Sequence, residues 1–302
     1  MQPDAFEAHR SLLFGMAYRM IGSAMEAEDI VQEAYLRYQA TPPESIRALK
    51  SFLTTIVHHL CLDHLKSAQT RRERYVGPWL PEPVLTGAGD ALPFPLPLHA
   101  DRESISMAFL VLLERLSPLE RAVFLLREVF DYAYPEIAQI TGRSEAACRQ
   151  LCSRAKKHVK EHRPRFPASP EAHETMVNRF MDACVAGDMD GLMGLLAEDV
   201  TSWSDSGGNV PGAARRPILG RDKVARSIIG NLAHAPARMT VETIEANGLP
   251  ALLIRIAGAI AGIIALEVDG GEIRAVRNIA NPAKLAHLKP PAAPGRVWRL
   301  PA

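Results

Sequence analysis

The sequence predicts a multidomain protein in which two all-α units are followed by an α+β domain. Up to about residue 163, apolar residues recur at helical spacing and are interrupted by breaks such as Thr41-Pro42-Pro43. Later come short β-rich runs, at residues 200–204, 238–245, 251–257, 262–268 and 272–279. Helices first and antiparallel strands afterwards are typical of the α+β class.

Length and composition limit the type of protein. The chain has 302 residues, enough for two or three domains, and 47% hydrophobic and 23% charged residues, as in ordinary globular proteins. It contains neither an apolar run of about 20 residues nor the basic-then-apolar start of a signal peptide, so we expect a cytoplasmic protein that does not span a membrane. Its four cysteines form no CxxC pair, and we expect no disulfide framework, metal site or cofactor.

The region of strongest charge asymmetry is residues 143–165, where eight Lys or Arg stand against two Glu. Residues 170–290 carry twelve basic and fourteen acidic side chains. A basic block inside a protein of net charge +1 indicates one surface that faces nucleic acid.

Residues 23–38 predict an amphipathic helix around which the rest is organised. Ser23 and Glu26 form a capping-box pattern, and an apolar stripe runs from Ala27 to Tyr38. The other side collects Glu28, Asp29, Gln32 and Glu33. For an arbitrary helix, the simplest interpretation of such a face is contact with water.

The amino-acid sequence of this helix favours a more specific interpretation. Asp29-Ile30-Val31-Gln32-Glu33, followed by Ala34-Tyr35-Leu36-Arg37, resembles the core-polymerase-docking helix of bacterial extracytoplasmic-function (ECF) sigma factors. The resemblance implies core RNA polymerase and promoter DNA as partners. It also implies that polymerase is bound by Glu28, Asp29, Gln32, Glu33 and Arg37.

A third helix is predicted from residue 49 to residue 66, followed by a basic stretch up to residue 74. In the sigma family this helix and the loop before it read the minus-ten promoter element. The resemblance implies that this helix has an exposed face with Thr54, His58 and Asp63. It implies that the following residues approach DNA: Ser45, Arg47, Lys50, Ser51, Thr54, His58, Asp63, Arg71, Arg72 and Arg74. The arginines also suit phosphate contacts on charge alone.

Residues 75–100 are predicted to be a linker because they contain six prolines and show no periodicity. Trp79-Leu80-Pro81-Glu82-Pro83-Val84 is too apolar for a solvated spacer, so it should lie on another domain or thread a groove of a partner. The motif resembles the WLPEP signature of ECF sigma factors that carry a fused SnoaL-like domain.

Residues 101–163 predict a second helical unit that contains a helix-turn-helix. A short helix over 134–140 is stopped by Gly142, and a longer basic helix follows Ser144. Cys148 and Cys152 fall on its apolar side and are most simply buried. The outward side chains suit a major-groove reader, and they resemble the minus-thirty-five reader of the same sigma group: Ser144, Arg149, Gln150, Ser153, Arg154 and Lys157.

The remainder, residues 170–290 with a tail over 291–302, resembles a SnoaL-like α+β cone. Residues 205–209 and 281–285 match partly the two loop motifs of the fused domain in that sigma subgroup. We expect the linker motif to dock there and to fix the spacing of the DNA-reading units. The residues of this regulatory contact would be Trp79, Pro81, Glu82, Pro83, Asp205, Gly207, Gly208, Asn281, Pro282 and Lys284.

Cone folds often house enzymes, so catalysis has to be weighed against regulation. Trp203, Asp205, Arg215 and Asn278 could line a pocket, in which Asp205 is the acid–base candidate; a small apolar ligand could occupy such a pocket. We expect no catalytic residues and a sigma factor regulated by its own domain, which neither requires nor excludes a separate anti-sigma factor. The alternatives are a ligand-sensing helix-turn-helix repressor and, less favoured, a SnoaL-type isomerase or cyclase.

Overall fold

The first three helices are those that the apolar stripes predict. This computed structural model describes residues 3–72, 75–87, 102–162, 168–210, 213–291 and 295–300. The three helices are α1 (Pro3–Ile21), α2 (Ala24–Ala40) and α3 (Leu49–Arg72). The Ser23 hydroxyl caps α2 by accepting the Glu26 backbone N–H at 3.2 Å. A 3₁₀ turn, Pro43–Ser45, follows the predicted proline break. α3 continues beyond the expected residue 66, since no proline or glycine stops it.

The second helical set is more broken than its sequence predicts. The sequence predicts one helix from about Asp101 to Leu116. Instead, a 3₁₀ turn (Arg102–Ile105) precedes α4 (Met107–Leu113), because the Ser106 hydroxyl caps a new helix by accepting the Phe109 backbone N–H. A capping box of Ser117 and Glu120 begins α5 (Pro118–Phe124). A π-helical turn over Leu125–Val129 follows. α6 (Tyr134–Thr141) then ends at Gly142, whose φ is +64°, and α7 (Glu145–His162) completes the helix-turn-helix.

The two helical sets form one compact unit, comprising residues 1–74 and 92–163. The sequence predicts two separate units here, since local periodicity reports a buried face and does not say which helix covers it. A second unit comprises residues 75–91 and 164–302, so the larger part of the predicted linker belongs to the C-terminal domain.

The C-terminal unit is α+β, as predicted. Helices α8 (Pro170–Ala186), α9 (Met189–Leu195) and α10 (Arg221–Ala233) accompany a seven-stranded sheet in the order β2-β1-β6-β5-β4-β3-β7. All neighbouring strands are antiparallel except β1 and β6, which are parallel. The strands are β1 (Leu196–Asp205), β2 (Ile218–Leu219), β3 (Met239–Ala246), β4 (Leu249–Ile256), β5 (Ala259–Asp269), β6 (Glu272–Ile279) and β7 (Val297–Arg299).

Two strands were not predicted from the sequence. β2 has only two residues, too few for an alternating pattern. β7 lies in the predicted tail, where it pairs with β3 and buries Trp298, whose indole N–H donates to Asp182 at 2.9 Å. The described part of the tail, residues 295–300, is therefore part of the domain.

Both faces of the sheet are covered. One face packs on the helices through a core that includes Phe180, Leu252 and Val276. The other carries a smaller apolar cluster around Leu253 and Ile263, covered by Leu85 of the linker and by Leu288. Among the described helices, none combines the length and apolar character that crossing a bilayer requires.

Candidate nucleic-acid and linker-docking sites

The acidic side of α2 forms a ridge on the surface. Asp29 and Gln32 are exposed and Glu33 is partly exposed, with its carboxylate accepting from Arg37 at 2.8 Å. Glu28 differs from these, because its carboxylate pairs with Arg10 of α1 and burial raises its pKa above the usual value, with Arg10 opposing the shift.

Two exposed apolar side chains extend this ridge and were missed in the sequence. Met25 is 46% exposed and Leu36 is 54% exposed. Met25, Asp29, Gln32 and Leu36 recur at i, i+4, i+7 and i+11, so they share one helix face. We define these four residues, with Glu33, as the α2 ridge. The spacing could have identified the apolar pair, although apolar residues on a helix usually indicate core.

The residues proposed for the minus-ten element are split by the structure. Ser45, Arg47, Lys50 and Asp63 are exposed and Ser51 is half-buried, whereas Thr54 and His58 are completely buried. The expectation of an exposed face through Thr54 and His58 is therefore wrong in this arrangement. Thr54 bonds to Tyr132 of the second helical set at 2.8 Å, and burial lowers the pKa of His58 to about 4. The side chains of Arg71 and Arg72, and Arg74 as a whole, lie outside the described residues.

The helix-turn-helix presents its proposed readers outward. Ser144, Arg149, Gln150, Ser153, Arg154 and Lys157 are all exposed. The Ser144 hydroxyl accepts the Ala147 backbone N–H at 3.2 Å and so caps α7. Arg149 pairs with Glu145 at 2.8 Å and lies 4.5 Å from the centroid of the Tyr134 ring. On the other side of α7, Cys148 and Cys152 are buried free thiols, as predicted.

The structure brings the linker motif against the two C-terminal loops. Asp205, at the end of β1, is fully buried and accepts the Leu80 backbone N–H at 2.7 Å and the Tyr75 hydroxyl. Lys284, on a short helix α11 (Pro282–Leu285), pairs with the same carboxylate at 2.7 Å and donates to the Leu80 carbonyl. The Lys284 ammonium also lies 4.0 Å from the centroid of the Trp79 ring. We call this set, with Asn281, the linker latch.

Asn281 and the glycine loop complete the latch. The Asn281 amide donates to the Tyr75 hydroxyl at 2.7 Å, and its carbonyl oxygen accepts the Ala283 N–H at 3.1 Å. Gly207 and Gly208 both have positive φ, and a Cβ on Gly207 would lie 2.6 Å from the Asn281 amide nitrogen. The loop therefore needs glycine at this position for reasons of conformation and of space.

The linker continues as an extended segment along the sheet. Val84 N–H donates to the Asn247 side chain at 3.2 Å, and the Thr86 and Glu245 backbones bond at 3.0 Å. The His287 ring donates to the Pro83 carbonyl at 2.8 Å. Pro81, Glu82 and Pro83 are buried and Trp79 is half-buried, so most of the motif is packed on the domain.

A pocket lined by Trp203, Asp205, Arg215 and Asn278 is not formed, and that expectation is wrong. In the register of β1 with β6, Ser204 lies opposite Asn278 and Asp205 opposite Ile279. Adjacent strand residues point to opposite faces, so Asp205 and Asn278 lie on different sides of the sheet. Among the described residues, no group of His, Cys, Asp or Glu converges as a metal site.

Comparison with known proteins agrees with this geometry. The sequence matches the families Sigma-70 region 2 over residues 5–71 and Sigma-70, region 4 over residues 106–159. It is 41% identical over 298 residues to the ECF RNA polymerase sigma factor SigJ of Mycobacterium tuberculosis, covering 94% of this chain and 93% of that protein. The chain belongs to the ECF sigma factors.

Two further similarities extend over almost the whole sigma factor. SigI of M. tuberculosis is 33% identical over 291 residues, covering 94% of this chain and 95% of that protein. The crystal structure of M. tuberculosis SigJ matches with a TM-score of 0.75 and 38% identity, over 94% of this chain and 98% of that one. In this sigma factor, region 2 holds α1 to α3 and region 4 holds α4 to α7.

The sequence identified the main elements of the linker latch and missed several partners. Trp79, Asp205, Asn281 and Lys284 were expected to meet, and the structure places them together. Further latch contacts come from residues outside the predicted motifs: Tyr75, Asn247 and His287. Tyr75 begins the linker and could have been noticed as an aromatic beside a proline-rich motif; the other two carry no local signal.

Proposed function

We propose that the α2 ridge of this promoter-specific sigma factor binds core RNA polymerase. Asp29, Gln32 and Glu33 supply negative charge and acceptors, and Met25 and Leu36 supply apolar area at the two ends. Apolar anchors surrounded by charged groups are typical of protein interfaces. Arg37 and Glu28, each paired within region 2, would hold the ridge in shape. Because core polymerase and promoter DNA are its partners, we place the protein in the cytoplasm.

Region 2 would bind the minus-ten element through the turn before α3 and through α3 itself. The exposed Ser45, Arg47 and Lys50 can contact DNA in the arrangement described. Thr54 would do so only after Tyr132 of region 4 has moved away, and the fully buried His58 does not reach DNA in this arrangement. Region 4 would bind the minus-thirty-five element through the exposed side of α7.

Arg149→Ala should weaken binding of the polymerase holoenzyme to its preferred minus-thirty-five element by about 1–3 kcal/mol, because an arginine fork on guanine is lost. Lys157→Ala should weaken binding to all sequences alike and reduce the salt slope by about one. Both effects can be measured by fluorescence binding across a salt series, with promoters recovered by sequencing the transcripts that appear on overexpression. An equal loss on matched and mismatched elements for Arg149→Ala would contradict base reading.

The C-terminal domain would regulate initiation by holding the linker. Residues 88–101 are the fourteen residues between the docked segment and region 4, and fourteen extended residues span at most about 50 Å. If residues 75–87 were released, the freely extendable linker would have 27 residues and a maximum span of about 90 Å. Docking therefore fixes the path of residues 75–87 and leaves only residues 88–101 to adjust, so it restricts the separations that the two DNA-reading regions can adopt, and simultaneous binding depends on that distance.

The single observation that carries this proposal is the buried Asp205–Lys284 pair, which binds both the N–H and the carbonyl of Leu80. Occupation of Asp205 by the linker also favours a regulatory domain over an isomerase that would use this carboxylate as a base. A ligand that displaced the linker would change promoter output, since it would shift the population of docked chains.

Transcription from a cognate promoter by the Trp79→Ala variant tests the regulation. Loss of the Trp79–Lys284 contact should change output by about fivefold or more, the lower range of typical coupling between sites. Leu219→Ala, which shortens an apolar side chain 65% exposed on β2, is the control and should behave as wild type. A chain ending at residue 165, checked for helicity by circular dichroism, forms the second arm. Unchanged output in both test chains would reject regulation by this domain.

A further inference from the structure

The contact between region 2 and region 4 centres on one tyrosine. The Tyr132 hydroxyl bonds to the Thr54 hydroxyl at 2.8 Å, and the Lys50 ammonium lies 4.6 Å from the centroid of the Tyr132 ring. Thr54 is fully buried and Tyr132 is 3% exposed. Both Lys50 and Thr54 belong to the side of α3 assigned above to the minus-ten element, so a region-4 residue covers part of the proposed DNA surface.

The backbone before α6 is shaped to deliver this tyrosine. The π-helical turn widens the end of α5, and the Tyr132 N–H bonds to the Leu126 carbonyl at 2.9 Å. Asp131 adopts a φ of +54°, a left-handed conformation that is uncommon for a residue other than glycine. Arg127 donates to the Tyr132 carbonyl at 3.1 Å and so fixes the turn. Uncommon backbone of this kind persists where the surrounding contacts enforce it.

Two buried arginines cross the same boundary. Arg19 of α1 donates to the Ser104 hydroxyl at 2.7 Å and lies 5.6 Å from the centroid of the Phe130 ring. Arg121 of α5 donates to the Met20 carbonyl and pairs with Glu114 at 3.0 Å. Each arginine is 3% exposed. The boundary is therefore packed and desolvated, and separating its two sides would expose buried charge.

This closed arrangement is incompatible with simultaneous binding of both promoter elements. Their names place them about 25 base pairs apart, which at about 3.4 Å per base pair is on the order of 80 Å. α7 has 18 residues and extends only about 27 Å at 1.5 Å per residue. While Tyr132 touches Thr54, α7 cannot reach the distant element from a region 2 bound at minus ten.

We propose that Tyr132 is an autoinhibitory latch that holds region 4 over the minus-ten helix in the free chain and must release before both elements are bound. The inference rests on the assignment of α3 and α7 to the two elements. It predicts that free protein is closed and that binding of core polymerase opens it. We call this contact the Tyr132 latch; it lies within the N-terminal unit and is distinct from the linker latch.

Distance measurements between two spin labels test the latch in the full chain. Labels at Ala40→Cys, the end of α2, and Lys160→Cys, near the end of α7, occupy exposed positions, and the four native cysteines are buried. The free chain should give one short distance, and core polymerase should lengthen it. Tyr132→Ala should populate the longer distance without polymerase, raising the open-to-closed ratio by about tenfold or more.

Conservative variants and a matched tyrosine complete the design. Tyr132→Phe and Thr54→Val each remove one hydroxyl of the same bond, so each should raise the open-to-closed ratio about three- to tenfold and the double variant should add little. Tyr35→Ala removes a half-buried tyrosine of α2 that packs on Phe6 within region 2, and should leave the distance unchanged.

Two results would contradict the proposed role of Tyr132. One is a long distance between the spin labels in the free wild-type chain, and the other is an unchanged distance in every Tyr132 and Thr54 variant that folds. Should Tyr132→Ala fail to fold, Tyr132→Phe and Thr54→Val decide the question. Because the readout is a distance in the absence of DNA, it does not depend on where α3 binds. If the distances change as expected while promoter binding by Lys50→Ala is normal, the Tyr132 contact is confirmed as the group that holds region 4. The assignment of the Lys50 side of α3 to the minus-ten element is then wrong.

Discussion

Charge reversal at Asp29→Arg together with Glu33→Arg is expected to abolish association with core RNA polymerase and to leave the fold intact. Asp29 is exposed and the Glu33 side chain is 45% exposed, so neither substitution disturbs the core. Among the described residues, the ion pair that these substitutions break is Glu33–Arg37, and exposed i,i+4 pairs contribute about 0.3–0.5 kcal/mol. Across an interface, juxtaposed like charges cost several kcal/mol. The effect on binding should therefore far exceed the effect on stability.

Co-migration of the purified chain with core enzyme in gel filtration at low salt measures this prediction. Glu174→Arg with Glu198→Arg is the matched control, since it makes the same charge change at two exposed positions of the C-terminal unit. The control should associate as wild type does, and thermal unfolding should agree among the three chains. If the α2 variant still associates with core enzyme, polymerase does not dock on this helix.

The helix surfaces illustrate what local sequence can predict. On α2 and α7 the spacing of apolar and polar residues at the helical period predicts both the buried face and the exposed face. In the structure Asp29, Gln32, Arg149 and Gln150 are exposed, as expected. On α3 it was the resemblance to the sigma family, and not the helical period, that placed Thr54 on an exposed face. That face is covered by a tyrosine 78 positions away, and such a long-range partner leaves no mark on the helical period.

The linker shows the same division. Prolines and an apolar tryptophan predict that residues 79–84 lie on a surface, and matching loop motifs indicate which surface. The bonding of Asp205 could not be predicted, because it depends on backbone groups of Leu80 and on a tyrosine outside the motif. Likewise, the sheet residues that receive Leu85 are set by strand register, which single-sequence patterns do not determine.

Asp205→Ala is expected to release the start of the linker from the C-terminal domain. The substitution leaves the Lys284 ammonium buried without its carboxylate, and it leaves the Leu80 N–H and Tyr75 hydroxyl without their acceptor. Removing one partner of a buried pair typically costs about 3–5 kcal/mol. Hydrogen exchange of the Leu80 amide should therefore accelerate by about 10²–10⁴. The Thr86 amide, bonded to the Glu245 carbonyl, should accelerate less.

The second substitution separates the buried pair from its surroundings. Asp205→Ala with Lys284→Met removes both charges, so its cost should be smaller than the sum of the two single costs. Asp222→Ala, which breaks the exposed Asp222–Arg226 pair of α10, is the control and should cost at most about 0.5 kcal/mol. If the Leu80 amide of the Asp205→Ala chain stayed as protected as in wild type, the buried pair would not be what holds the linker. Regulation through the linker would then have to act by another contact, such as the Asn247 bond to Val84.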